Sequence, residues 1–254
     1  MITFASDFGS PYPAAVRGVL ARRSSARVAD VAHDLPRQDV RAAAFWLRFV
    51  LPEFPPAVHL AVVDPGVGTG RDALVVRAGE HVLVGPDNGL LFPPARRLAD
   101  GGAVEAYVAD PGDPASATFH GRDVFAPLAA DVHGRGSAPA DGVAAMDALS
   151  PAADPVGLRL PEPSVEGSVA RGEVLAVDGF GNAITNVPGD VLDGRDRVRV
   201  NGTPAPVVRT FAEVDPGERL VTTGSHGNVE CDVNRGRGDE AFDLAPGDRV
   251  TLRF

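Results

Sequence analysis

The stretch "AVHLAVVDPGVGTGRDALVV" (57–76) joins two apolar runs through a loop with glycines at 66, 68 and 70. "AVHLAVVD" reads as a strand ending at Asp64, and "ALVVRAGEHVLVGPD" (73–87) as two strands around the turn "AGEH". A dinucleotide loop needs the spacing G-x-G-x-x-G and a helix behind it; here the spacing is G-x-G-x-G and a strand follows. The chain contains no lysine, which removes a Walker-type phosphate loop. The remaining reading is geometric. Pro65 fixes one dihedral and the glycines let the chain fold back without side-chain clashes. Arg71 then returns to Asp64 as a hydrogen-bonded ion pair that keeps the aspartate ionised. The plainer alternative is that Asp64 only caps a turn.

Working outward, "ITFAS" (2–6) predicts a buried strand, "AAVRGVLARR" (14–23) a helix and "ARVADVAHDL" (26–35) a second strand. "DVRAAAFWLRFVLPEF" (39–54) predicts a helix with Ala42, Phe45, Trp46 and Phe49 on one face. Strands alternating with helices imply an α/β layered domain over 1–150 with a mostly parallel sheet. A proline-rich stretch at 151–165 suits a connection. Beyond it, "GEVLAVD", "DRVRVNG", "APVVRTF", "ERLVTTG", "NVECDV" and "DRVTLRF" are short β-type runs with no convincing helix. They predict a small all-β C-terminal domain, a barrel or sandwich, over 166–254.

Composition narrows the chemistry. The net charge of −10 and the lack of a basic patch argue against a nucleic-acid partner. All 24 basic residues are arginine, so a Schiff-base lysine or lysine general base is excluded. Cys231 is the sole cysteine, which rules out an intrachain disulfide and a thiolate metal cluster and suits a small buried residue. No apolar run approaches a membrane span, and the opening "MITFASDFGS" carries Asp7 and no basic stretch, so a cytoplasmic location without membrane contact is expected.

Three further patches carry polar groups at turns. "GPDNGLL" (85–91) follows a strand, and "TFHGRDVFAPLAA" (118–130) places His120 and Arg122 before an apolar helical run. In "DGFGNAITNV" (178–187), Phe180 between two glycines offers an open ring face, with Asp178 and Asn182 as polar edges.

Taken with "SDFG" (6–9) and "TGSHGNVECDVN" (223–234), these segments resemble, nearly end to end, the S-adenosyl-L-methionine (SAM) hydroxide adenosyltransferases, relatives of the SAM-dependent fluorinase and chlorinase. The resemblance implies a Rossmann-like α/β domain followed by a β-barrel. It also implies a homotrimer, with each site between the N-terminal domain of one subunit and the C-terminal domain of the next. The reaction implied is hydrolysis of SAM to adenosine and L-methionine by water or hydroxide attacking C5′ of the ribose. SAM is then the substrate, and neither cofactor nor metal is called for.

The family's Asp–Arg–His triad falls on Asp64, Arg71 and His120. Asp64 and His120 are the candidates for taking the proton from water, while Arg71 would orient Asp64 and support hydroxide character. By the same resemblance, Asp7 would accept from the ribose hydroxyls and Asp178 would hold the methionine ammonium. Ser225 would hold the amino-acid end, Asn182 would read the adenine edge, and Phe180 and Phe211 would pack on the base. Glu230 matches a glutamate near the nucleoside. The stretch 223–242 departs from the family pattern, with His226 in a variable place and a more charged "NRGRGDEAF".

Three rival readings follow from the same residues. In the halogenase branch tyrosines replace the aspartate and the histidine, and a halide-contacting serine follows; here Asp64 and His120 are kept and Gly121 stands at the serine position. A non-catalytic nucleoside- or SAM-binding module would use the same groups only to bind. A metal-dependent hydrolase would need Asp7, Asp64, Asp87 and His120 to converge, without support from an HxH or HExxH motif.

Overall fold

The computed structural model describes residues 1–110, 112 and 115–254, in two compact units, Met1–Leu160 and Pro161–Phe254. In the first unit the elements run β1 (Ile2–Ser6), α1 (Tyr12–Arg23), β2 (Val28–Ala32), α2 (Val40–Val50), β3 (Val58–Val62), β4 (Ala73–Ala78) and β5 (His81–Pro86). They continue with α3 (Phe92–Leu98), β6 (Val104–Ala109), α4 (Ala126–Gly134), α5 (Pro139–Ala144) and β7 (Leu149–Pro151).

The strands form one sheet in the order β2-β1-β3-β5-β4-β6-β7. The first four are mutually parallel, and β4, β6 and β7 join antiparallel. The sheet is therefore mixed, with its parallel part in the first four strands. The cause is local: β4 and β5 are a hairpin closed at Ala78 and His81, with Gly79 at φ +59°.

Every residue of β1 and β3 is buried, as a strand covered on both faces requires. Ile2, Phe4, Val58 and Leu60 point to a core shared with Val16 and Leu20 of α1 and Ala126 and Ala129 of α4. Ala5, Ala61, Leu74 and Leu83 point the other way, onto Ala43, Ala44 and Leu47 of α2 and Ala95 of α3. Asp39 caps α2 by accepting from the Ala42 N–H at 2.9 Å. The buried face of α2 is Ala42 to Phe45 plus Leu47, with Trp46 and Phe49 only half-buried. Ala42 and Phe45 of the expected stripe are buried, and Ala43, Ala44 and Leu47 join them in place of Trp46 and Phe49, so the buried face is shifted from the expected one.

The same sheet buries a polar chain. Thr3 Oγ1 lies 2.8 Å from His59 Nδ1, and His59 Nε2 lies 2.8 Å from Nδ1 of His81, whose ring stacks on it. Burial pulls His59 down to about 3, with His81 adding to the effect. The proline-rich stretch is fastened in part to this unit: Leu158 O accepts from Arg96 at 2.6 Å and Asp87 accepts from the Val156 N–H at 2.8 Å.

The second unit contains β8 (Ser164–Glu166), β9 (Val169–Val177), β10 (Ala183–Pro188), β11 (Arg197–Val200), β12 (Thr203–Pro206), β13 (Arg219–Thr223) and β14 (Asn228–Val233). A helix, α6 (Gly238–Phe242), and β15 (Arg249–Arg253) complete it. The sheet order is β12-β11-β15-β9-β10-β14-β13, with β8 on β9. A bridge from Val207, just past β12, to Val221 on β13 brings the two edges together, so the sheet curls into a nearly closed barrel. Val174, Val198, Val221, Cys231 and Leu252 fill its interior. The helix α6 corrects the expectation of no helix here; at five residues it is too short to display a helical period. It ends where Asp243 turns left-handed at φ +54°. Among the described residues, no helix is long and apolar enough to cross a membrane.

Candidate active site

Parallel pairing of β1 and β3 aligns Ser6 with Val62, so the next residues, Asp7 and then Val63 and Asp64, emerge at the same carboxyl edge of the sheet. That edge is where open α/β sheets hold ligands. Asn88 pins it by donating its side-chain N–H to the Val63 carbonyl at 2.8 Å.

Asp64 opens the glycine loop and accepts from the Gly66 N–H at 3.1 Å and from Arg71 Nη1 at 3.0 Å. The first and second glycines are needed. A Cβ on Gly66 would fall into the Arg71 guanidinium, and Gly68, at φ +82°, would place one 2.7 Å from the Ala117 carbonyl oxygen. Gly70 meets nothing within 4 Å. The loop is a frame that lets Arg71 fold back over it.

The ion pair does not settle the aspartate's charge as the sequence suggests. Burial raises the Asp64 carboxyl above its ordinary value; Arg71, the Gly66 N–H and His120 pull it down without cancelling the effect, and Asp7 adds to the rise.

A cavity of about 560 Å³ opens over this edge, lined among others by Asp7, Asp64 and His120. His120 precedes a π-helical turn (Gly121–Phe125) that runs into α4. Among the described residues, no hydrogen bond joins His120 to Asp64, although the charge of His120 acts on the Asp64 carboxyl. Arg71 is not part of the lining and reaches the cavity only through Asp64. Phe8, Tyr12 and Phe119 form an aromatic wall of edge-to-face contacts at 5.6 to 5.8 Å. Gly121 sits against that wall, where a Cβ would lie 2.8 Å from Phe8 Cζ. Asp87 lies outside the lining, and among the described residues no three His, Cys, Asp or Glu side chains stand close enough together to hold a metal ion.

Asp7 is held by a residue the sequence did not single out. The Gln38 N–H donates to Asp7 Oδ2 at 2.7 Å, and Gln38 does so from a left-handed backbone at φ +59°. A non-glycine residue in that region costs of order 1 kcal/mol or more and persists where the surroundings demand it. The available signal was the Pro36-Arg37-Gln38 turn between β2 and α2, since both Arg37 and Gln38 line the cavity.

In the second unit, Asp178, Phe180 and Asn182 share one turn. Asp178 Oδ1 accepts from the N–H groups of Phe180 and Asn182, both at 2.9 Å, and Oδ2 accepts from Asn182 Nδ2 at 3.0 Å. Phe180 is 81% exposed. Glu230 is buried on β14 and lies 2.7 Å from His226 Nε2, while His226 Nδ1 accepts from the Asn228 N–H at 3.3 Å. Ser225 is exposed beside that histidine. Phe211 begins a separate turn capped by Thr210 and, among the described residues, makes no hydrogen bond or ring contact with the Asp178 turn.

Residues 2–141 match the N-terminal domain of the SAM hydroxide adenosyltransferases, and residues 172–251 match the C-terminal domain. The chain is 46% identical to the (R)-S-adenosyl-L-methionine hydrolase of Salinispora tropica, with 99% of this chain and 97% of that protein aligned. It is 45% identical to the protein of the same name from Thermus thermophilus, over 99% and 98% of the two chains. An uncharacterized conserved protein from Thermotoga maritima has the same fold, with a TM-score of 0.86, 33% identity and 100% of both chains covered. With two separate domain matches in order and near-complete alignment to these hydrolases, the chain belongs to the SAM hydroxide adenosyltransferase family.

Proposed function

We propose that this protein hydrolyses SAM to adenosine and L-methionine, acting on the (R)-sulfonium form for which its relatives are named. The observation that carries the reading is the convergence of Asp64 and His120 on one cavity, with Arg71 bonded behind Asp64.

The sulfonium is already a good leaving group, so the enzyme's task is to place water in line behind C5′ and accept its proton. The new O–C5′ bond forms as the C5′–S bond breaks; the electron pair of that bond goes to sulfur, leaving the thioether of methionine. Asp64, or His120 beside it, takes the proton. Arg71 fixes the Asp64 carboxylate from the side away from the cavity. Asp7, held by Gln38, takes the ribose hydroxyls. In the second unit, Asp178 holds the ammonium, Ser225 the amino-acid end, Asn182 the adenine edge, Phe180 and Phe211 the base, and Glu230 lies near the nucleoside.

This reading includes a homotrimer with sites at subunit interfaces, supported by the division of the two residue sets between compact units and by the exposure of Phe180. It also includes a cytoplasmic location, where SAM is made and used, and chemistry that needs no metal, because the leaving group is activated by its own charge. Against a halogenase, Gly121 packs on Phe8 with no room for a serine side chain in its present position.

Incubation with SAM in 18O-labelled water tests the proposal: label is expected in the 5′-hydroxyl of adenosine. Asp64→Ala and His120→Ala are expected to keep SAM binding and lose about 10²–10⁴-fold in turnover. Formation of 5′-chloro-5′-deoxyadenosine in chloride, or near-normal turnover in both variants, refutes it. Activity that collapses with a chelator refutes metal independence.

A further inference from the structure

Asp232, on β14, is an anomaly that the mechanism leaves unused. Its exposure is 0%, and neither carboxyl oxygen has a hydrogen-bond partner among the described residues. A buried polar group so placed demands an explanation. Alternation along the strand puts Asp232 on the face of Glu230, away from the Val229 and Cys231 side that fills the barrel.

The start of α6 covers its backbone: a Cβ on Gly238 would lie 2.7 Å from Asp232 Cα. That segment also touches the Asp178 turn, since the Asp239 N–H donates to the Gly181 carbonyl at 2.9 Å. The charged neighbours are Glu230 on the same strand, itself bonded to His226, Asp178 at the end of β9, and Arg237 with Asp239, paired at 2.6 Å. On β13 the residue opposite is Leu220. Negative charge is in excess, and Asp239 Oδ1 is a second buried oxygen with no partner among the described residues.

We infer that Asp232 is a charge-specificity residue, a carboxyl held as the acid beside Asp178 that releases its proton when the ligand's ammonium group docks on Asp178. The inference rests on the reading of Asp178 as the seat of the ammonium. Burial, followed by the charges of Glu230 and Asp178, raises the Asp232 carboxyl to about 8, so at neutral pH the free protein carries it uncharged. An ammonium group seated on Asp178 reverses the balance. The second negative charge then appears only when there is a positive charge to meet it, which spares the empty protein a pair of facing carboxylates.

The test uses S-adenosyl-L-homocysteine, which keeps the ammonium but has no sulfonium leaving group, and adenosine, which has neither. Calorimetry in two buffers of different ionisation enthalpy counts protons. The homocysteine compound is expected to release up to about one proton below pH ~8, and adenosine none. Relative to Asp232→Asn, wild-type affinity for S-adenosyl-L-homocysteine is expected to rise with pH by up to about tenfold per unit and level off above pH ~8. The ligand's own ammonium titrates in both proteins and cancels.

If Asp178→Asn weakens S-adenosyl-L-homocysteine binding but the wild type releases no proton, the role of Asp232 is overturned while the placement of the ammonium stands. If Asp178→Asn leaves binding unchanged, both fall. The proton count on the wild type decides the matter even if Asp232→Asn does not fold.

Discussion

Gly66 lies directly under the guanidinium of Arg71: a Cβ at residue 66 would be 2.7 Å from Arg71 Cζ. The absence of a single methyl group is thus what allows Arg71 to reach Asp64. Gly66→Ala is expected to displace the arginine and reduce kcat by roughly 10²-fold, the usual penalty for a misplaced group near the chemistry. Gly70→Ala, with open space around it, is the control and is expected to retain activity. Equal turnover in the two variants would show that the Asp64–Arg71 contact is dispensable.

The pH profile carries a second prediction. Burial holds the Asp64 carboxyl above its ordinary value, and Arg71 is the largest influence lowering it. If ionised Asp64 is needed, kcat/KM falls on the acid side at a pH above that of an ordinary aspartate. Arg71→Met removes the opposing charge, so that limb is expected to move to still higher pH while maximal turnover drops. A limb that stays put or moves down contradicts the assignment.

Acid stability follows from the buried histidine pair. The folded protein holds His59 at about 3, while the unfolded chain protonates it near 6.5. Between those values the unfolded state binds the extra proton, so stability is lost as pH falls from about 6.5 toward 3, at up to about 1.4 kcal/mol per unit from this group. Denaturant melts across that window are expected to show a shallower decline for His59→Gln than for the wild type. Parallel declines would place the acid sensitivity elsewhere.

Cys231 is 0% exposed inside the barrel, and burial, with Asp232 and Glu230 adding, raises its thiol well above the usual range. It is expected to be silent toward an aromatic disulfide reagent in the native protein and to react stoichiometrically in denaturant. Rapid labelling of the folded protein would mean that the barrel opens far more readily than its core packing indicates.

The parts of this protein that were legible in its sequence are those governed by neighbours along the chain. The β4–β5 hairpin showed in "AGEH" between two apolar runs, and the return of Arg71 to Asp64 showed in the spacing of the glycines. What depends on long-range packing was not legible. The buried side of α2 is set by the packing of Ala43, Ala44 and Leu47 with sheet residues distant in the chain, and the absence of Arg71 from the cavity lining by walls that come from several separate segments. Gln38 supports Asp7 through its backbone N–H, which carries no residue-type signal at all. The burial of Asp232 has no signal in its own strand, because the start of α6 that lies against it comes from further along the chain.

The alignment of Ser6 with Val62 frees the chain between them. Because backbone hydrogen bonds across two adjacent strands fix where Asp7 and Asp64 come out, the separation of the two acids does not depend on how many residues connect them. Extra residues spliced in at the exposed Ser25, between α1 and β2, would lengthen the polypeptide without moving either carboxyl group, so that position is a natural place to attach a tag or reporter.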